Sequence, residues 1–170
     1  MKNLKKLIIL TGPSGVGKGT VVKEILDKDK NICLSVSVTT RTPRKGEKEG
    51  ENYYFLSEEN FKEMINKNLF LEWAQFAGNY YGTPLSFVKD KIEDGFIVLL
   101  EIEVEGAKQI KDKFPESLSI FILPPSKEEL ERRIRNRGTE KEEAINRRLS
   151  RSTYEIASSD EFDFKVTNRD

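Results

Sequence analysis

Residues Leu7–Thr20 read LIILTGPSGVGKGT, and this stretch decides the fold that we expect for the whole chain. Leu7–Leu10 is a short apolar run of the kind found in buried β-strands. Gly12 and Gly17 bracket four residues ahead of Lys18, which fits the phosphate-binding pattern G-x-x-x-x-G-K. Glycine lets backbone N–H groups approach phosphate oxygens closely, and the lysine adds a point charge that reaches the β- and γ-phosphates. The sequence therefore predicts a strand, a phosphate-binding turn and a helix.

The segment after the turn supports this interpretation, because it has one apolar helical face formed by Val21, Val22, Ile25 and Leu26. The alternative is an ordinary flexible glycine turn, which neither the preceding strand nor the following helix favours. Gly19 stands where the pattern usually has serine or threonine. The hydroxyl expected on magnesium is therefore either displaced to Thr20 or absent.

Composition limits the classes of function. A length of 170 residues predicts one domain, and 29 basic residues against 29 acidic ones argue against general nucleic-acid binding. With Cys33 as its single cysteine, the chain cannot form an internal disulfide, and we expect a small buried side chain there rather than a nucleophile. Because histidine is absent, serine–histidine, cysteine–histidine and histidine-ligated metal chemistry are excluded. Phosphoryl transfer stays open, since it depends mainly on positioning and charge.

The apolar runs of the sequence are too short to span a membrane. The start, MKNLKKLIIL, resembles a secretion signal, but its apolar part is four residues long and continues directly into the glycine turn. We interpret it as the first strand, so we expect a cytoplasmic protein that does not bind membranes.

Further strands are predicted at Phe96–Ile102, Leu118–Leu123 and Phe164–Thr167. Helical patterns lie between the strands, which is typical of a parallel sheet with helical crossovers. Thr83 and Pro84 predict an N-cap followed by proline at the first helical position.

Two segments look like insertions into this α/β core. Residues 37–89 carry a basic turn, aromatic residues and short alternating strands. Residues 126–157 form a charged helical pair whose helices begin at the capping boxes Ser126-x-x-Glu129 and Thr139-x-x-Glu142. The apolar positions of this pair are sparse, which is typical of a moving lid, although an ordinary surface hairpin has the same pattern. The core would then comprise residues 1–36, 90–125 and 158–170.

A second anion-binding site is predicted at Arg41 and Arg44, which flank Pro43 in a stiff turn. Arginine binds phosphate in a bidentate manner, and Tyr53 can add a hydroxyl. Taken alone, this segment is more typical of a solvated basic loop. Beside the first phosphate site, it favours a phosphorylated acceptor.

A carboxylate in an apolar strand suggests which acceptor this is. In Phe70–Phe76, strand alternation places Glu72 on the same face as Phe70, Ala74 and Phe76. An unpaired carboxylate there is costly, so Glu72 is either ion-paired or faces a donor on a ligand. Guanine offers adjacent N1–H and N2–H donors, and a hydroxyl such as that of Ser37, from the alternating segment 34–39, or of Thr83 can contact its O6.

The sequence closely resembles the guanylate kinase family over nearly its whole length. The resemblance is carried by GPSGVGKGT, SVSVTTRTPRKGEKEGENYYF, FLEWAQFAGNYYGTP, LLEIEVEGAKQI, ILPPSKEELERRIRNRGTE and INRRLS, in that order. It implies a P-loop NTPase fold with three α/β layers, a parallel central sheet, a GMP-binding lobe (37–89) and a helical lid (126–157). It also implies Mg²⁺-dependent transfer of the γ-phosphoryl group of ATP to GMP in purine nucleotide metabolism.

The resemblance further implies roles for individual residues. The predicted catalytic residues are Lys18, Arg44, Arg137 and Arg148. The predicted ATP-binding residues are Gly12, Pro13, Ser14, Gly15, Val16, Gly17, Lys18, Gly19, Thr20, Arg137, Asn168 and Arg169. The predicted GMP-binding residues are Ser37, Arg41, Arg44, Tyr53, Glu72, Tyr81, Thr83, Glu103 and Arg148.

Two departures from the family pattern affect the metal. Gly19 replaces serine, and Glu101 stands where many relatives have aspartate, so the magnesium ligand stays open. The resemblance also implies a helix after Asp170. Two other functions remain as alternatives: a non-catalytic interaction module with the same fold, and a P-loop kinase of another phosphorylated acceptor.

Overall fold

The computed structural model describes residues 6–136 and 142–169. Numbered along the chain, the strands are β1 (Leu7–Thr11), β2 (Ile32–Leu34), β3 (Val38–Thr39), β4 (Tyr54–Phe55), β5 (Phe70–Phe76), β6 (Asn79–Pro84), β7 (Ile97–Glu101), β8 (Leu118–Leu123) and β9 (Phe164–Thr167). The helices are α1 (Lys18–Lys28), α2 (Glu58–Asn66), α3 (Leu85–Glu93), α4 (Val104–Lys113), α5 (Lys127–Arg135) and α6 (Glu142–Ala157), with a short 3₁₀ helix at Ser159–Glu161.

The strands of these ranges form a five-stranded sheet, in the order β2-β7-β1-β8-β9, and a four-stranded sheet, in the order β4-β3-β6-β5. Neighbouring strands of the larger sheet are parallel. In the smaller sheet, β6 is antiparallel to β3 and β5, whereas β3 and β4 are parallel. Ligands of parallel α/β sheets bind at the carboxyl ends of the strands, so the fold places the site where β1 and β7 end.

Helices cover both faces of the larger sheet, which confirms the predicted three-layer α/β architecture. Leu7 and Ile9 face an apolar cluster that α3 and α4 cover, through Val88 and Ile110 among others. Leu10 faces the opposite cluster, which includes apolar residues of α1, α5 and α6. Side chains that alternate in this way bury both faces of the sheet.

The alternating pattern over residues 34–39 suggests one continuous strand, but the structure has two separate strands there. β2 ends at Leu34 in the parallel sheet, and β3 begins at Val38 in the other sheet. Ser35 N–H still donates to the carbonyl of Leu99, at 2.9 Å, before the chain leaves the larger sheet. The physical reason is the crossing itself, because a chain that changes sheets cannot keep one ladder.

The start of α3 differs from the predicted cap. Pro84, with φ of −62° and ψ of 126°, is the N-cap residue instead of Thr83. The Thr83 hydroxyl instead donates a 2.6 Å hydrogen bond to Glu72 Oε1 in the adjacent strand. This cross-strand bond takes the hydroxyl away from the helix end. At the start of α5 the predicted cap is confirmed, because Ser126 Oγ accepts from the backbone N–H of Glu129 at 3.1 Å.

The two helices of residues 126–157 are anchored more firmly than the sparse apolar pattern suggests. Leu130, Ile134 and Ile145 are buried, and they pack in the same cluster as Val16 of the glycine-rich turn. A few apolar residues therefore hold α5 and α6 against the sheet in this conformation. The capping box at Thr139 lies outside the described residues, and the division into core, GMP-binding lobe and lid stays a prediction.

Candidate active site

The glycine-rich turn between β1 and α1 adopts a backbone that its glycines permit. Gly15 and Gly17 have φ of 87° and 93°, in the left-handed region. A Cβ at Gly17 would also lie 2.5 Å from Asn168 Nδ2. Asn168 Nδ2 donates to the carbonyl of Val16 at 2.9 Å. The turn is thus closed from the side of β9, which leaves its other side open to the cleft.

Lys18 is the first residue of α1 and lines the cleft. Its Nζ donates to the carbonyl oxygens of Gly12, at 2.7 Å, and Pro13, at 3.3 Å. The ammonium therefore lies against the turn that the sequence assigns to phosphate, at the positive end of a helix. A cation and a helix N-terminus at one place can bind an anion.

A cleft of about 960 Å³ opens beside this turn. Its walls come from the turn and α1, the basic segment after β3, the tip of the β5–β6 hairpin, the end of β7 and helix α6. The charged residues that line it are Lys18, Arg41, Arg44, Glu47, Glu101, Glu103, Arg147, Arg148 and Arg151. The excess of cations makes the cleft suitable for phosphorylated ligands.

Arg41 is held in place by a carboxylate and an aromatic ring. Its Nη1 and Nη2 bind the two carboxylate oxygens of Glu47, at 3.0 and 2.8 Å, and its guanidinium lies 5.3 Å from the ring centroid of Tyr53. The Arg41 guanidinium holds the pKa of Glu47 below its usual range. The backbone N–H of Arg44 donates to the same carboxylate at 2.7 Å. Glu47, which the sequence did not single out, therefore fixes the turn between the two arginines.

A smaller pocket of about 50 Å³ joins the cleft near Lys18 and Tyr53. It is lined by Ser37, Glu72, Ala74, Tyr81 and Glu103 among others. Burial and the nearby carboxylate of Glu101 raise the pKa of Tyr53 to about 12. Its phenol is therefore a neutral hydrogen-bond donor or acceptor where the two pockets meet.

Glu72 is 4% exposed, and the Thr83 hydroxyl donates a hydrogen bond to its carboxylate. Burial is the main reason why its pKa rises to about 7, and the hydrogen bond from Thr83 partly opposes that rise. A Cβ at Gly106 of α4 would overlap Glu72 Oε2, so only glycine lets the helix backbone approach the carboxylate this closely. Of the two explanations that the sequence left for this carboxylate, the one in which it faces a ligand stays a prediction.

The bulge in β5 explains how Glu72 reaches this pocket. The pairing with β6 shifts between Phe70 and Glu72, so Leu71 and Glu72 are both buried although they are neighbours. Regular alternation resumes after the bulge, and Ala74 lies beside Glu72 in the pocket as predicted. Phe70 instead stacks on Phe61 of α2, with ring centroids 4.4 Å apart.

Two more carboxylates lie at the carboxyl end of β7. Glu103 is the N-cap residue of α4, and its Oε2 is buried without a hydrogen-bond partner in the described part of the protein. Burial raises the pKa of Glu101, while the charge of Lys18 lowers it. Both residues line the cleft that Lys18 also lines, so their carboxylates are candidates to meet donors or a cation there.

Helix α6 supplies cations that the sequence only partly predicted. Arg148 Nη2 donates to Ser14 Oγ of the glycine-rich turn at 2.6 Å. Arg147 and Arg151, which we did not predict, line the cleft beside Arg148. The signal that could have found them is the spacing of Ala144, Arg147, Arg148 and Arg151, which is i, i+3, i+4 and i+7 on one helical face.

The remaining predicted residues lie elsewhere. Asn168 binds the turn itself, and Arg169 is exposed after β9. Arg133 of α5 was missed, although its Nη1 donates to the carbonyl of Val16 at 3.1 Å and its Nη2 to that of Asn168 at 3.3 Å. Arg137 lies outside the described residues. The roles of all these side chains toward ligands stay predictions.

Because the pKa of Glu72 is raised, we expect the free energy of unfolding of the protein to depend on pH. Its pKa is about 7 in the folded protein, above the ordinary value of 4.5. The stability it contributes is therefore fully present below the ordinary pKa and is lost as the pH rises through about 7. We therefore compare the free energy of unfolding of Glu72→Gln with that of the parent. As the pH is raised from about 5 to about 8, this difference should increase in favour of the variant by up to about 3 kcal/mol. Urea unfolding at both pH values measures this gain, and a pH-independent difference would contradict it.

Comparison with known proteins gives a consistent result. The family model described as guanylate kinase matches residues 4–170. A guanylate kinase of Prochlorococcus marinus subsp. pastoris is 79% identical over 170 residues, which are 100% of this chain and 92% of that protein. Another Prochlorococcus marinus guanylate kinase is 80% identical over 168 residues, or 99% of this chain and 91% of that one. The crystal structure of guanylate kinase from Anaplasma phagocytophilum matches with a TM-score of 0.80 and 37% identity, over 96% of this chain and 77% of that one.

Proposed function

The chain belongs to the guanylate kinase family, and from that premise we propose that it transfers the γ-phosphoryl group of ATP to GMP, giving ADP and GDP. The observation that carries this function is the buried Glu72 carboxylate in a small pocket that joins a cation-lined cleft. A guanine base presents two adjacent N–H donors to such a carboxylate. We also propose that the reaction takes place in the cytoplasm, where both nucleotides are found.

The two ends of the cleft suit the two nucleotides. The glycine-rich turn and Lys18 are suited to the phosphates of ATP. Arg41, Arg44 and Tyr53 are suited to the phosphate of GMP, because they lie on the side of the cleft that joins the pocket of Glu72. Each nucleotide then has its phosphate end directed toward the middle of the cleft.

Phosphoryl transfer between these ends depends on positioning. A phosphate oxygen of GMP forms a bond to the γ-phosphorus of ATP, the bond from that phosphorus to the β–γ bridging oxygen breaks, and ADP leaves with the electron pair. A general base is unnecessary because the attacking phosphate is largely ionised near neutral pH. Lys18 and Arg148, which both contact the turn, can offset the charge that spreads over the transferring group.

The family also implies a divalent metal bound with ATP. The Thr20 hydroxyl and the Glu101 carboxylate line the cleft that Lys18 lines, and oxygen ligands of this kind suit Mg²⁺, which keeps much of its shell from phosphates and water. We propose these two residues as its protein ligands. When bound, the ion supplies charge that polarises the phosphate oxygens.

The alternative of a non-catalytic interaction module is not favoured by any feature of the cleft. Lys18, Arg41, Arg44 and Arg148, which phosphoryl transfer needs, line one cavity. A kinase acting on a phosphorylated sugar is also disfavoured, because such an acceptor would have no base to occupy the pocket of Glu72.

The direct test is ADP release from Mg·ATP by the purified chain, with GMP, AMP, CMP, UMP or no acceptor in parallel. We expect turnover with GMP and background rates with the others, since a site built to bond donor groups rejects bases that lack them. Equal rates with AMP would contradict the role of the guanine pocket. A folded protein without turnover on any acceptor would instead support the interaction module.

A further inference from the structure

Arg151 is held on two sides at the wall of the cleft. Its guanidinium lies 4.3 Å from the ring centroid of Phe76, and its Nε donates to Glu155 Oε1 at 2.9 Å. The Glu155 side chain is only 3% exposed. A buried carboxylate one helical turn away therefore aims the guanidinium at the aromatic ring, which fixes a side chain that would otherwise be mobile.

Phe76 belongs to the opposite wall of the cleft. It is the last residue of β5 and pairs with Asn79 of β6. The two residues between them, Ala77 and Gly78, have φ of 49° and 80°, as in the tight type I′ turns of β-hairpins. The ring thus stands at a stiff hairpin tip, and its contact with Arg151 joins that hairpin to helix α6.

A series of contacts continues from Phe76 to the predicted clamp on the GMP phosphate. Phe76 packs edge-on against Tyr81 with centroids 6.4 Å apart, and Tyr81 packs in the same way against Tyr53 at 6.0 Å. At the far end of this series, the Arg41 guanidinium lies 5.3 Å from the ring centroid of Tyr53. A shift of the hairpin tip would therefore move side chains that face the acceptor phosphate.

We propose that Arg151 is a positioning residue, which holds the β5–β6 hairpin against α6 through Phe76 and so sets the geometry of the GMP phosphate clamp. This inference rests on the proposed function. The guanidinium does not need to contact the nucleotide. Its effect is to keep the two walls of the cleft at the separation at which Tyr81, Tyr53 and Arg41 reach the acceptor phosphate together.

The test is a double-mutant cycle of Arg151→Gln and Phe76→Leu. We expect each single variant to raise the KM for GMP, and its calorimetric Kd, by about three- to tenfold, as for the loss of one cation–π contact. The KM for ATP and the kcat should change less than about twofold, because the turn and Lys18 are untouched. The double variant should bind GMP no more weakly than either single one, since both remove the same contact. Phe76→Tyr keeps the ring under the Arg151 guanidinium, so it should raise the KM for GMP less than Phe76→Leu does.

Arg132→Gln is the matched control, because Arg132 is also paired with a glutamate of its own helix but lies 62% exposed. It should leave the KM for GMP unchanged. Effects that add in the double variant would overturn the proposal, as they would mean that Arg151 contacts the nucleotide directly. Parental affinity in Arg151→Gln would overturn it as well. If the parent itself turns over no GMP, the proposed function fails, and the calorimetric Kd values still decide the role of Arg151.

Discussion

We expect that replacing Lys18 with alanine will lower kcat by about 10³-fold, while the KM for GMP will change little. The reason is that Lys18 lies against the carbonyls of Gly12 and Pro13 at the start of α1, where its charge can offset charge that develops on the transferring group. The acceptor pocket is formed mainly by other elements. Steady-state kinetics at saturating ATP and varied GMP measure both parameters.

Lys23→Ala provides the control for this experiment. Lys23 lies on the same helix and is exposed, so its loss removes one positive charge without touching the turn. Circular dichroism and the melting temperature of both variants show whether the fold is kept. A kcat for Lys18→Ala within a few fold of the parent would contradict the role of this lysine and, with it, the placement of ATP on the glycine-rich turn.

The parts of the fold that depend on neighbouring residues were predictable from the sequence. The turn of residues 12–18 and four of the five strands of the parallel sheet have local signals, namely glycine spacing and apolar runs, whereas the short β2 was not predicted. The predicted strand Phe96–Ile102 agrees with the observed Ile97–Glu101 to within one residue at each end. Ser126 likewise caps α5, because a capping box needs only four consecutive residues.

Features that depend on distant residues were not predictable in this way. Thr83 has the local pattern of an N-cap, but Glu72 of the neighbouring strand takes its hydroxyl. Arg133 reaches the glycine-rich turn from 117 residues away in sequence. Such contacts depend on how the elements pack, which one sequence does not reveal. The sequence therefore singled out cleft residues that lie within motifs, together with Arg148 of α6, but it did not single out Arg133, Arg147 or Arg151 on the helical walls.

The second large effect that we expect follows from removal of the buried Glu72 carboxylate. Without it, the preference for GMP over AMP in kcat/KM falls by about 10⁴-fold, because the site then lacks the acceptor for the two adjacent donors of guanine. Glu72→Gln is the sharper variant, since it keeps the volume and a partner for Thr83, whereas Glu72→Ala also leaves a cavity beside Gly106. Both should retain the ATP-binding affinity of the parent, because Glu72 lies in the pocket and not at the glycine-rich turn.

The ratio of kcat/KM for GMP to kcat/KM for AMP distinguishes a loss of guanine recognition from damage to the fold. Glu63→Gln is the control, because Glu63 also lies in the segment 37–89 but is paired with Lys67 at the surface. This variant should leave the ratio unchanged. If Glu72→Gln discriminates between GMP and AMP as well as the parent does, Glu72 is not the residue that selects guanine.

The raised pKa of Glu72 provides a second test, which is the pH dependence of GMP binding. Ionised Glu72 is the form that accepts both donors, so the affinity of the parent for GMP should increase as the pH rises toward about 7 and the glutamine variant should lack that part of the increase.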